Sequence, residues 1–168
     1  MRPDNCTFDQ YEAWFQGECN AITLKPGISV VGPYISAVND PRPPWDLAFA
    51  IIYDDGMYIW IWEHYRELSR REGAGGRLQY FSYHYGPGGR ERDGDGFPVW
   101  SDDCVLRIDL DLRHGRHAHY AGDNHILEPR LIGLDFDHLT PFAFIRAVEE
   151  FRVSSKPLPE LLGFEVRT

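Results

Sequence analysis

Residues Met57 to His64 alternate without a break: Met57, Ile59 and Ile61 point to one side of an extended chain, and Tyr58, Trp60, Trp62 and His64 to the other. A period of two fits a strand and no helix. Because both sides carry large apolar or aromatic groups, both faces of the sheet need cover. The turn chemistry of Asp54-Asp55-Gly56 links this strand to the apolar run Leu47 to Tyr53, so the two form a hairpin.

The same arithmetic extends in both directions. Leu78 to Tyr85 reads as a further strand, with Tyr80, Ser82 and His84 on one face and Gln79, Phe81, Tyr83 and Tyr85 on the other; Cys104 to Leu112 reads as another. Ile28 to Ile35 is β-branched enough for a strand interrupted at Gly32-Pro33. Thr7 and Gln10 form a capping-box pattern ahead of Tyr11, Trp14 and Phe15, which predicts a short N-terminal helix ended by Gly17. Thr140-Pro141 starts a second helix, whose apolar face is Phe144, Ile145, Val148 and Phe151 and which runs to about Phe151 or Arg152. Asn39 to Pro44 is a stiff proline-rich connection, and 86–103 is a long Gly/Asp/Pro-rich loop, long enough for a functional flap or a disordered tip rather than a simple turn.

The expected fold is therefore a single α+β domain over 1–168: an antiparallel sheet of about four to six strands, with an N-terminal and a C-terminal helix packed on it. A chain of 168 residues buries one core and not two. Cys6, Cys19 and Cys104 make an odd set without a C-x-x-C pair, so neither a disulfide framework nor a zinc ribbon is indicated. Met1 to Asn5 lacks the apolar core of a signal peptide, and no stretch approaches the ~18–20 apolar residues of a membrane span. The expectation is a cytoplasmic chain with no membrane partner.

Charge narrows the function. Seventeen basic against 26 acidic residues give −9, which opposes broad nucleic-acid binding. Any nucleic-acid site must be local, and since Lys25 and Lys156 are the only lysines it must be built from arginine. Four of the seven histidines crowd between His114 and His125. Just upstream, Arg107, Asp109 and Asp111 share one strand face; His117 and His119 also share a face if extended, where two imidazoles can converge on one metal ion or one phosphate. His84 is their natural partner on the neighbouring strand.

These residues suggest acid–base work by His84, His117 and His119, a phosphate clamp at Arg107, and Asp109 as the group that orients a histidine or binds the arginine. That set supports metal-independent cleavage of a phosphodiester such as RNA. No cofactor is expected and no residue is assigned as a metal ligand, although a histidine-ligated metal enzyme is an alternative. A non-catalytic interaction domain, using the aromatic sheet face and the acidic surface, is another. Gly73-Ala74-Gly75-Gly76 lacks the lysine of a phosphate-binding loop, and Asp93-Gly94-Asp95-Gly96 has too few carboxylates for a calcium loop.

Over roughly Met57 to Arg152, the succession Tyr83-His84-Tyr85, Arg107-Ile108-Asp109 and His117-Ala118-His119, followed by a helix, resembles the TumE-type toxins of bacterial toxin–antitoxin pairs. The chain departs from that pattern at Leu110, where the family carries asparagine. The resemblance implies a small α+β domain, RNA as substrate and an antitoxin protein as partner.

Overall fold

The computed structural model describes residues 7–22, 26–36, 45–67, 76–88, 92–94, 96 and 103–167. Seven strands form one antiparallel sheet in which each pairs with the next in sequence: β1 (Ile28–Ser36), β2 (Trp45–Tyr53), β3 (Met57–Glu67), β4 (Gly76–Pro87), β5 (Leu106–Asp111), β6 (Gly115–Tyr120) and β7 (Asp123–Leu127). The expected four to six strands are thus exceeded, because the histidine-rich segment after Leu112 folds into two strands of its own. A small two-stranded sheet of β8 (Leu131–Ile132) and β9 (Glu165–Val166) lies apart from the main one.

Helix α1 (Phe8–Ile22) opens on the expected capping box: Gln10 N donates to Thr7 Oγ1 at 3.3 Å, and Thr7 N donates to Gln10 Oε1 at 3.0 Å. Gly17 does not end it. Its position is exposed, so the missing side chain costs helix propensity but no packing, while Tyr11, Phe15, Cys19 and Ile22 continue one buried stripe. Helix α2 (Pro141–Val153) is capped by Thr140, whose hydroxyl accepts from Ala143 N at 3.1 Å; a one-turn helix, α3 (Leu158–Leu161), follows. Neither α1 nor any other described helix is long and apolar enough to cross a membrane.

Both long helices cover the same sheet face. Phe15 of α1 packs against Phe49 of β2 and Phe142 of α2, with ring centroids 5.4 and 5.1 Å apart, and Phe144 of α2 meets Tyr83 of β4 at 5.8 Å. Ile59, Ile61, Phe81, Leu106 and Ile108 complete that core. The alternation then dictates the opposite face, on which Trp60, Trp62, His84, Arg107, Asp109 and His117 stand. At the β1 end of that second face, Gly96 lies close to Val31: a Cβ built on it would stand 3.9 Å from the Val31 side chain. The Asn39 to Pro44 connection, Gly73 to Gly75, Asp95 and Cys6 lie outside the described residues, as does most of 86–103. Cys19 and Cys104 are free thiols.

Candidate active site

Cross-strand pairing sets the candidate residues in two parallel rows. In one, Trp60 pairs with His84, His84 with Arg107 and Arg107 with His119; in the other, Trp62 pairs with Ser82, Ser82 with Asp109 and Asp109 with His117. His84, Arg107, Asp109, His117 and His119 therefore share one face of β4, β5 and β6.

Asp109 is the centre of this group. It is 2% exposed, and one of its oxygens, Oδ2, has Arg107 Nε at 2.6 Å, His117 Nε2 at 3.3 Å and His119 Nε2 at 3.5 Å. Burial alone would raise its pKa, but the two imidazoles, the Arg107 guanidinium and the Ser82 hydroxyl hold the carboxyl well below the usual carboxylate range. His117 is fully buried; desolvation works against its charged form, yet the neighbouring carboxylates and the Gly115 carbonyl leave its pKa raised on balance. Its second nitrogen, Nδ1, faces Gly115 O at 3.2 Å, which fixes how the ring is turned.

His84 differs from the other two candidates. It is fully buried and stacked on Tyr58, with centroids 5.0 Å apart. Burial, and then the Arg107 charge beside it, push its pKa down to about 4. It is therefore neutral at neutral pH.

Two further histidines join the cluster. His114 sits in the β5–β6 turn, where Asp111 Oδ1 accepts from the amides of Arg113 at 2.8 Å and His114 at 2.6 Å. His125 comes back on β7 through a two-residue turn, Ala121-Gly122, both with positive φ (53° and 80°) as a type I′ hairpin requires. Between the pairs Ala118–Ile126 and Tyr120–Asp123, β7 carries one residue more than β6; His125 lies in this bulge with φ of 60°. The left-handed backbone of a non-glycine residue costs on the order of 1 kcal/mol and recurs at functional sites. Here it brings the His125 ring within 4.3 Å of His114, 4.7 Å of His119 and 5.2 Å of His117. Partial burial, followed by the nearby imidazoles and Arg107, lowers the pKa of His125.

Asp109, His117 and His119 have donor atoms within 4.8 Å of one another, and so do His114, His117 and His125. These are the two groups among the described residues that can hold a metal ion. The sequence signal for His114 and His125 was their place in the histidine-dense segment; what it lacked was the Ala121-Gly122 turn, which folds His125 back opposite His119.

A separate strip of rings borders the site on the same face. His64, held by Asp46 at 2.8 Å, stacks between Trp62 at 6.3 Å and Tyr80 at 5.8 Å. The chain matches no family profile, and no curated protein or solved structure shows significant similarity to it.

Proposed function

We propose that the second sheet face is a hydrolytic active site for an anionic ester, with the phosphodiester of single-stranded RNA as the substrate class. The observation that carries this reading is the gathering of one guanidinium and two imidazoles around the single buried carboxylate Asp109. In that role Arg107 offsets the charge that builds on a phosphoryl group, and Asp109, His117 and His119 together form the polar centre at which the attacking oxygen is activated. His84, neutral and buried, lies beside Arg107 on the neighbouring strand. Trp62 and Tyr80 offer ring faces beside the site for unpaired bases, a mode that needs no net positive charge. The resemblance to TumE-type toxins supports the same reading and adds an antitoxin as the natural protein partner.

The test is cleavage of a labelled single-stranded RNA by the purified chain. The parent is expected to cut, and Arg107→Ala and His117→Ala to lose roughly 10²–10⁴-fold in rate. Equal rates in parent and variants remove these roles. A parent that does not cut, yet copurifies with a stoichiometric protein, points instead to the interaction-domain alternative.

A further inference from the structure

We infer that the working site holds one divalent transition-metal ion, bound by Asp109 Oδ2, His117 Nε2 and His119 Nε2; this deepens the active-site reading above and rests on it for the reaction, though not for the binding. Ligands at about 2.0–2.2 Å from a tetrahedral ion stand roughly 3.3–3.5 Å from each other. The two imidazole nitrogens lie 3.3 and 3.5 Å from the carboxylate oxygen. All three donors sit on adjacent strands of one sheet, so the spacing is set by backbone pairing and not by loose loops.

The surroundings agree with a metal centre. The His117 Nδ1 contact with Gly115 O is the outer partner that ligating histidines usually have, and it leaves Nε2 as the lone-pair nitrogen. His114 and His125 extend the imidazole cluster toward solvent from His117 and His119. Nitrogen donors with one carboxylate and no thiolate suit zinc, cobalt, nickel, iron(II) or manganese; calcium and magnesium prefer all-oxygen sets.

Arg107 gives the inference its sharpest consequence. Its Nε lies 2.6 Å from the same Asp109 oxygen that the ion would use, so guanidinium and metal are like charges competing for one acceptor. Loading the ion requires Arg107 to leave Asp109, which releases it toward a substrate phosphate. In the reaction, water on the ion loses a proton to solvent; its oxygen bonds to phosphorus as the bond to the leaving oxygen breaks, and that oxygen takes a proton from solvent.

The experiment is calorimetric titration of the metal-stripped full chain with Zn²⁺, together with visible spectra of the Co²⁺ form. One ion per chain is expected, with affinity reduced at least about 100-fold in His117→Ala and in Asp109→Asn, and changed only a few-fold in His114→Ala. Arg107→Ala should bind about 10-fold more tightly, which a merely structural role for Arg107 would not produce. Thermal melts of the metal-free variants check that each folds, and His119→Gln serves where His117→Ala does not. Absence of saturable binding overturns the inference, and so does binding that survives Asp109→Asn but is lost in His114→Ala. RNA cleavage that persists after complete metal removal overturns it while leaving the active site in place. Zn²⁺ binding with the expected variant pattern but no cleavage upholds the ion site and removes the hydrolytic reading.

Discussion

The hydroxyl of Tyr11 on α1 donates to the carboxylate of Glu63 on β3, and neither residue is exposed to solvent. Glu63 also accepts from Tyr65 at 3.1 Å and from Tyr83, so a carboxyl group lies in the core with hydrogen-bond donors from a helix and two strands. A buried carboxyl group without such donors would be strongly destabilising there. Tyr11→Phe is expected to cost roughly 1–3 kcal/mol, the usual loss when a buried polar group is left without one of its partners, measured by denaturant unfolding. A loss under about 0.5 kcal/mol would show that the helix docks by ring packing alone.

The low pKa of His84 makes the fold sensitive to acid. The unfolded chain takes up this proton near the ordinary value of 6.5, whereas the folded chain, with burial and Arg107 opposing the charge, does so only at about 4. Its contribution is thus complete above pH 6.5 and is lost as pH falls toward 4, with a total on the order of 3 kcal/mol. Asp109 and His119 also act on the ring, and Tyr58 stacks on it. In His84→Phe, metal-free, the stability difference between neutral and acid conditions should shrink; an unchanged pH dependence would assign the acid sensitivity elsewhere.

Ala121 occupies a left-handed position, φ 53°, at the first turn residue between β6 and β7. Asparagine tolerates that conformation better than alanine, and Asn-Gly is the preferred pair for this turn. Ala121→Asn is therefore expected to stabilise by about 0.5–1 kcal/mol and to raise the melting temperature. A lower melting temperature would mean that the turn departs from type I′ geometry.

Much of this architecture is legible in period-two alternation. Met57 to His64 and Leu78 to Tyr85 declare which side chains share a face, and the face assignments agree with the pairing of β3 and β4. The extent of α1 is not legible, because Gly17 is a stop signal only where the buried stripe ends, and here Cys19 and Ile22 prolong it. Strands β6 and β7 escape notice for another reason: polar and histidine-rich sequence carries no apolar period, and a bulge at His125 breaks what alternation there is. His117 and His119 can be chosen as a pair from their spacing. Their meeting with Asp109 depends on register across β5 and β6, and register is a tertiary property.

Sequential pairing of the strands also decides what errors the centre can survive. Arg107 and Asp109 alternate with Leu106 and Ile108, which are fully buried on the helix side. A slip of β5 by one residue would drive a guanidinium and a carboxylate beneath α2 and put two leucine-sized groups among the histidines. Such a frame is so much higher in energy that the sheet has only one usable alignment there. The hydrophobic core thereby acts as a proofreader for the chemistry on the far side of the same strands.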